Sequence, residues 1–427
     1  VNALAPLARA GLRLFFDHIE IEGMQHVPMD GPLLVVSNHT NGLVDGLMLL
    51  DILPRPALLT AKSTLSKNPL LALLMRVGGV VPIYRKQDAV DVSRNADSFA
   101  AIRARLAGGE AVCIFPEGVS HSDAALRQIK SGAARIALGI PGLRILPVGL
   151  HYHAKQRLRS SVLVRIGAPI EAAADDDVHS LTARIEGEIR ALTANFSSVR
   201  EGLWLRWTAE LLATRGEDPR PLDQESVPVA ERAALLDALR ADYERASSDS
   251  EGRVRIAALY ARLRAYRRDL RRLGIAQHEV YLSMHPAQAA FFVLREVELL
   301  VAGAAIVLAG LVQHGLAFVA DRMLTRKLSV DLDQFASNAI FYGYVIFSLT
   351  GLIGIALAWT LGSPWIAAVY TLLLPFTLLY LVLWQDRAAR MLRRARTFFR
   401  FFIHRGLQRD LQQRGRALIA QIQEARS

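Results

Sequence analysis

Apolar and polar positions change rhythm along the chain, and each change marks a different kind of structure. Up to residue 198, short apolar runs alternate with amphipathic stretches. Residues 1–16 read as a short amphipathic helix with Leu4, Leu7, Leu12 and Phe15 on one side, and residues 18–22 (HIEIE) alternate like a strand. Met29–Pro32 is a turn, and Leu33–Val36 is a continuous apolar run expected as a buried strand. Asn41–Leu53 is expected as a helix, Val77–Tyr84 as a strand after a loop, and Ser93–Leu106 as an amphipathic helix with Phe99, Ile102 and Leu106 on its apolar side. Further strands are expected over Glu110–Phe115, Arg144–Leu150 and Ser161–Ile166, with a helix over Lys130–Leu138. Strands separated by helices predict an α/β layer fold over residues 1–198, a mixed sheet flanked by helices.

Residues 199–285 change character: Gly nearly disappears, and Ala, Leu, Arg and Glu dominate. Ile256, Leu259, Leu263, Tyr266, Leu270 and Leu273 recur every three or four residues, as in a helix packing on the α/β part. The neighbouring Arg253, Arg255, Arg262, Arg267, Arg268, Arg271 and Arg272 also fit a helix lying on a membrane surface. Residues 286–384 hold three apolar segments, 299–320, 339–361 and 364–384, each close to the roughly 20 residues that cross a bilayer. Trp359, Trp365, Tyr370 and Trp384 lie near their ends, where interfacial aromatics belong, and only Gly362 and Ser363 separate the last two. Gln313, His314 and Gly315 interrupt the first segment, which is expected to be re-entrant or interfacial; two crossings and three both stay open.

Composition sharpens this division. Of 427 residues, 52% are hydrophobic, high for a wholly soluble chain. The net charge of +11 allows nucleic acid or an anionic lipid surface as partner. Residues 385–427 hold eleven Arg against Asp386, Asp410 and Glu424, a surplus of eight positive charges directly after an apolar segment. That placement favours a membrane and argues against nucleic acid. By the positive-inside rule this Arg-rich stretch is expected in the cytoplasm. Leu12–Phe16 is too short for a secretory leader. Cys113 is the one cysteine, set in a buried-strand pattern, so it is expected in the core and no intrachain disulfide can form. No C-x-x-C or H-E-x-x-H occurs, and His151-Tyr152-His153 has no third ligand at a recognisable spacing. No metal or resident cofactor is therefore expected.

Four local clusters carry the candidate chemistry. Asn38-His39…Asp45 follows the buried strand Leu33–Val36, and strand ends are where open α/β sheets place reactive groups. His39 can accept a proton from an alcohol near neutral pH, and Asp45 can hold the opposite ring nitrogen. Residues six apart do not share a helix face, so His39 must precede the helix, with Thr40 or Asn41 near the cap and Asp45 in the first turns. Arg85 closes the run Gly78–Tyr84 and suits a phosphate. Glu117 and Gly118 follow Phe115-Pro116, where a carboxylate is hard to explain as core and the glycine allows close approach to a ligand. Ile145-Leu146-Pro147-Val148-Gly149 reads as core. Each cluster taken singly also fits a plain role: a capping histidine, a solvated Arg, a turn acid. His121 and Asp123 read as loop residues near the site. No G-x-S-x-G is present, which argues against a serine hydrolase.

Together, Asn38-His39…Asp45, Gly79–Arg85, Phe115-Pro116-Glu117-Gly118 and Leu146-Pro147-Val148, with Lys130-Ser131-Gly132 after the third, resemble the motifs of the glycerolipid acyltransferase superfamily, the glycerol-3-phosphate and lysophosphatidate acyltransferases. Five residues, Thr40 to Val44, separate His39 from Asp45 where the usual motif has four; this resembles the fungal-type glycerol-3-phosphate branch. The usual Thr-Arg after the third motif's Gly is Val119-Ser120 here, and Arg127 or Lys130 is the stand-in for the missing cation. The resemblance implies a catalytic domain over 1–198 in which His39 is the general base and Asp45 orients it. It further implies that Asn38, Arg85, Glu117, Gly118 and Lys130 bind substrate. The implied reaction moves a fatty acyl group from acyl-CoA or acyl carrier protein, a co-substrate, to a glycerol-phosphate-type acceptor at the cytoplasmic face of a bacterial inner membrane. Acylation of another lysophospholipid, or a non-catalytic lipid-binding protein on the same fold, is the alternative.

Overall fold

A computed structural model describes residues 5–67, 69–84, 95–214, 229–282 and 285–426. The chain forms two compact units. The first comprises Val1–Ser197 and also Ala320–Val345, a stretch the sequence reading assigns to the membrane region. The second comprises Ser198–Val319 and Ile346–Ser427.

The first unit is built from α1 (Ala5–Phe15), β1 (Phe16–Glu22), β2 (Leu33–Ser37), α2 (Gly42–Ile52), β3 (Ala57–Lys62), α3 (Pro69–Val77), β4 (Val81–Ile83), α4 (Asn95–Ala107), β5 (Ala111–Ile114), α5 (Gly132–Ala137), β6 (Arg144–Tyr152), β7 (Ser160–Ile166), β8 (Ile170–Glu171) and α6 (Val178–Leu192). Among the described residues eight strands make one sheet in the order β1-β7-β6-β2-β5-β3-β4, with β8 beside β6. The pairs β2·β5, β2·β6, β3·β5, β3·β4 and β1·β7 are parallel, whereas β6 runs antiparallel to β7 and β8. The sheet is therefore mixed.

The continuous apolar runs make sense because both faces of the sheet are covered. On one face Leu33, Val35, Cys113, Leu146 and Val148 pack with Leu12 of α1 and with Val44, Met48 and Leu49 of α2. On the other, Leu34, Val36, Val112, Ile114 and Ile145 pack with Ile102 and Leu106 of α4, Ile136 of α5 and Leu181, Ile185 and Ile189 of α6. Alternate residues of each central strand thus feed opposite layers, as pleating requires.

Three elements differ from the sequence reading. Ala57–Lys62 is a strand, formed beside β5 although its sequence ALLTAK is neither alternating nor uniformly apolar. Residues 69–77 are a helix, so the expected strand over Val77–Tyr84 shrinks to Val81–Ile83 after the Gly78-Gly79 break, where Gly79 has φ +63°. Residues 178–192 form α6, opened by an Asp177–Ser180 capping box.

The remaining elements are α7 (Val199–Ala213), α8 (Val229–Ala246), α9 (Ser250–Leu273), α10 (Pro286–Ala302), α11 (Ala304–Leu328), α12 (Leu332–Leu361), α13 (Pro364–Ile403) and α14 (Arg405–Glu424). In α9, Leu263, Tyr266 and Leu270 are buried, and the helix packs with α7, α8 and α14. Among the described residues three helices, α11, α12 and α13, are long and apolar enough to cross a membrane. The expected interruption at Gln313, His314 and Gly315 is instead the interior of a continuous α11. Its polar groups are satisfied by α13: His314 Nε2 lies 3.0 Å from Thr377 Oγ1, which donates to Gln313 Oε1 at 2.6 Å. Through the Arg-rich stretch α13 runs on unbroken to Ile403, and α14 follows. Arg387 grips Glu296 of α10 through Nε at 2.6 Å and a second nitrogen at 2.9 Å, and Arg414 meets Asp269 of α9 at 2.7 Å.

Close helix-to-sheet docking rests on Gly149 of β6, where a Cβ would stand 2.3 Å from the Leu192 carbonyl oxygen at the end of α6. The obstacle is backbone and cannot rotate away. Gly149→Ala is expected to destabilise the protein by about 1–3 kcal/mol, read as a lower thermal midpoint of the purified full chain.

Candidate active site

Three neighbouring parallel strands, β5, β2 and β6, end side by side, so the residues that follow them meet at one edge of the sheet. After β2 the chain turns through Asn38–Asn41 into α2, with Asn41 at the cap and Asp45 in the first turn. After β5 come Phe115–His121, and β6 itself ends at Tyr152.

Asp45 organises this edge. Its side chain is fully buried. One carboxylate oxygen lies 3.0 Å from His39 Nδ1 and accepts the Thr40 and Asn41 N–H groups at 2.7 Å each. The other accepts the Tyr152 hydroxyl at 2.6 Å. Bonding of an ionised carboxylate by several donors offsets the cost of burying it. Because a carboxylate only accepts, the contact places the proton of neutral His39 on Nδ1 and makes Nε2 the basic nitrogen. The His39 ring stacks on Phe115, with centroids 4.2 Å apart and planes 14° from parallel, so its rotation is restrained on a second side. Burial, reinforced by the charge of Asp45, pushes the Tyr152 phenol well above its ordinary value, which keeps it a donor.

The third-motif loop grips the backbone of His39 from both ends. Glu117 Oε1 accepts the His39 N–H at 2.7 Å, and the His121 N–H donates to the His39 carbonyl at 3.1 Å. Glu117 Oε2 accepts from the His121 ring and, at 2.9 Å, from the Arg127 N–H. His121 is buried, and its Nδ1 accepts the Asp123 N–H at 3.1 Å, which leaves Nε2 as the donor toward Glu117. Lys155 reaches across to the Thr40 carbonyl at 2.5 Å and to Ser122 Oγ at 2.8 Å.

The site residues expected from sequence therefore divide. His39 and Asp45 come together with Glu117 beside them. The Glu117 side chain is fully buried with both oxygens facing protein donors, so in place of an acceptor hydroxyl it meets the loop that carries His39. The Asn38 amide donates to the Leu150 carbonyl at 3.1 Å and accepts the Leu150 N–H at 2.8 Å, linking the end of β2 to β6. Gly118 has φ +74°, and a Cβ there would stand 2.6 Å from Lys130 Nζ, so the glycine makes room for an exposed cation beside the loop. Arg127, the other stand-in, is paired with Asp123 at 2.5 Å, and this bond holds the Asp123 carboxyl below its ordinary range. Arg85 lies outside the described residues. Cys113 is fully buried, and burial pushes its thiol up to about 12, so it stays protonated and is no nucleophile. His151 places Nε2 2.6 Å from the Leu192 carbonyl, consistent with a structural role. Tyr152 and His121 were not singled out as site residues from sequence. Their one signal was nearness to the third and fourth motifs, which does not say where a side chain points.

Comparison with known proteins finds similarity over the first part of the chain. Residues 18–151 match the family model described as Acyltransferase. A 1-acyl-sn-glycerol-3-phosphate acyltransferase alpha from Ovis aries is 28% identical over 200 residues, covering 44% of this chain and 67% of that protein. The Homo sapiens protein of the same name is also 28% identical, over 44% of this chain and 68% of its own length. Glycerol-3-phosphate O-acyltransferase 2 from Saccharomyces cerevisiae is 37% identical over 82 residues, which is 18% of this chain and 11% of the yeast protein. A solved 1-acyl-sn-glycerophosphate acyltransferase from Thermotoga maritima aligns over 44% of this chain and 76% of its own, at 20% identity and a TM-score of 0.35. The motif loops built above, His39 to Asp45 and Phe115 to Gly118, both fall within the matched stretch. Over residues 18–151 the chain is similar to the acyltransferase family, and the relatives it matches are named as 1-acyl-sn-glycerol-3-phosphate and glycerol-3-phosphate acyltransferases.

Proposed function

We propose that this protein is a membrane-bound O-acyltransferase that acylates glycerol 3-phosphate or a lysophosphatidate, with His39 as general base and Asp45 as its orienting acid. The observation that carries the reading is the buried Asp45 carboxylate 3.0 Å from His39 Nδ1, which leaves Nε2 to face a substrate. The acceptor O–H gives its proton to Nε2 as its oxygen attacks the thioester carbonyl carbon. The C–S bond then breaks, and the departing sulfur recovers the proton from the imidazolium. Transfer is direct, since the buried, protonated Cys113 offers no thiolate for an acyl-enzyme.

Glycerol phosphate as acceptor is supported by the names of the relatives that match and by the exposed Lys130 against Gly118. In this reading Lys130 meets the acceptor phosphate, with Arg85 as its sequence-assigned companion. Glu117 and Asn38 act at one remove, by holding the His39 loop. The apolar helices α11, α12 and α13 support residence in a bilayer, where acyl chains partition. The arginines that follow the apolar part of α13 support a cytoplasmic orientation for that end.

The test is incubation of membranes carrying the full chain with labelled acyl-CoA and a panel of acceptors. Labelled phosphatidate or lysophosphatidate, according to the acceptor, is expected; release of free fatty acid alone would indicate a hydrolase. His39→Ala is expected to lower transfer by about 10² to 10⁴ while membrane insertion persists, and full activity in that variant would remove His39 from the chemistry. Lys130→Ala is expected to raise the acceptor KM about tenfold with kcat little changed; an unchanged KM would take Lys130 out of the phosphate site. Tyr152→Phe keeps the ring but removes one donor from Asp45, and a loss in kcat of roughly threefold to tenfold is expected; an unchanged kcat would separate Tyr152 from the His39–Asp45 pair.

A further inference from the structure

We propose that the first turns of α12, a helix long and apolar enough to cross a membrane, are part of the framework of the catalytic centre, with Asp333 and Ser337 as positioning residues for the two loops that hold His39. The inference rests on the reading of His39 as the base and assigns the site two further supports, nearly three hundred residues away in sequence.

The clearest contact is at the start of α2. Asn41 occupies the cap position but makes no side-chain capping bond. Ser337 Oγ supplies one from outside, accepting the Val44 N–H at 3.3 Å, and Val44 is the third residue of the helix, the position an N-cap side chain serves. The same hydroxyl donates to the Asn41 carbonyl at 3.0 Å. Ser337 thus closes the turn that carries Asp45 and the backbone donors to Asp45. Gly42, the first residue of α2, makes this approach feasible. With φ +48°, it would carry a Cβ 2.8 Å from Ser337 Oγ and 3.1 Å from the Asp333 carbonyl.

One helical turn earlier, Asp333 reaches the other loop. Asp333 is nearly inaccessible to solvent, 3% exposed, and its carboxylate accepts the Ser120 hydroxyl at 2.5 Å. Ser120 stands between Gly118 and His121, whose N–H holds the His39 carbonyl. It also stands where the usual family motif carries an arginine, so a neutral donor here meets a carboxylate from α12. The same helix face seats the contact: Ala336 and Ile340 are buried in the core cluster with Leu12, Val44 and Met48, and the Tyr344 hydroxyl donates to the Leu7 carbonyl of α1. Positions 333, 336, 337, 340 and 344 recur at helical spacing, so one face of α12 makes every one of these contacts. The helix then continues without a break to Leu361. Two hydroxyl–backbone bonds and one hydroxyl–carboxylate bond therefore link the His39 loop and the Glu117 loop to a helix that continues into an apolar stretch.

Full-length protein reconstituted in phosphatidylcholine vesicles tests this with Ser337→Ala, Ser120→Ala, Asp333→Ala, the Ser120/Asp333 double variant, and His39→Ala. Asn338→Ala is the control, because its amide donates to Ser329 Oγ at 3.0 Å in the turn before α12 and to nothing at the site. Each positioning variant is expected to lower kcat about tenfold with the acceptor KM changed less than about twofold, since misplacement of a reacting group acts on the chemical step. The double variant is expected to be no worse than the poorer single, the signature of one shared contact. Asp333→Asn, which keeps an oxygen for Ser120, is expected to recover most of the loss. If His39→Ala is inactive while the α12 variants keep full kcat, the inference fails and the reading of the base stands. If His39→Ala is active, the reading itself fails. Equal losses in Asp333→Ala and Asn338→Ala, or single losses that multiply in the double variant, would assign the effect to general weakening of α12 and overturn the proposal.

Discussion

A carboxylate without a single exposed atom sits at the start of α2, and the site exists because four donors converge on it. Asp45 is bonded by a ring nitrogen, two backbone N–H groups and a phenol. Left alone in that position, the charge would cost several kcal/mol and would shed itself by taking up a proton. Its partners are therefore constrained as a set. The Thr40 and Asn41 N–H groups can reach one oxygen only if the loop between β2 and α2 folds tightly back on the helix. That fold in turn delivers the His39 ring to the same oxygen. The turn places Asn41 at the cap and Gly42 in a left-handed conformation.

The surrounding structure serves the same constraint from outside. Parallel strands β5, β2 and β6 bring three loop origins to one edge, and each loop contributes a hydrogen bond to its neighbour rather than only to a substrate. Asn38 fastens β2 to Leu150, Glu117 holds the His39 N–H, and Tyr152 completes Asp45. In the proposed acyl transfer, preorganisation of this kind keeps the proposed base aimed before the acceptor arrives; a loop that had to reorder would add its entropy to the barrier. The buried Glu117–His121 pair has the geometry of such a support. Both carboxylate oxygens face protein donors, and the histidine's second nitrogen is occupied by the Asp123 N–H.

Much of the fold was legible in the order of residues. Leu33–Val36 and Ala111–Ile114 are uniformly apolar because their strands are covered on both faces. Phe99, Ile102 and Leu106 repeat at helical spacing because α4 covers one of those faces. His39 and Asp45 could be paired in advance, because six residues is too far for one helix face and too near for anything but a loop and a first turn. The strand Ala57–Lys62 was not legible, since ALLTAK owes its conformation to pairing with β5 more than to any pattern of its own.

What the sequence determined by itself was the inventory and the local geometry: which segments are apolar, where helices start, and which reactive groups stand at strand ends. These follow from short-range sterics and from periodicity, which neighbouring residues settle among themselves. Tertiary structure alone decided what each polar side chain touches. Asn38 and Glu117 look like ligands for a substrate in one dimension, yet they meet backbone and a buried histidine. Ser337 and Asp333 look like ordinary residues at the mouth of an apolar helix, yet they meet the loops around His39. A hydrogen bond across 112, 78 or 296 residues leaves no periodic trace. It depends on how sheets and helices stack, and that is set by burial of the whole core, not by the residues that happen to end up face to face.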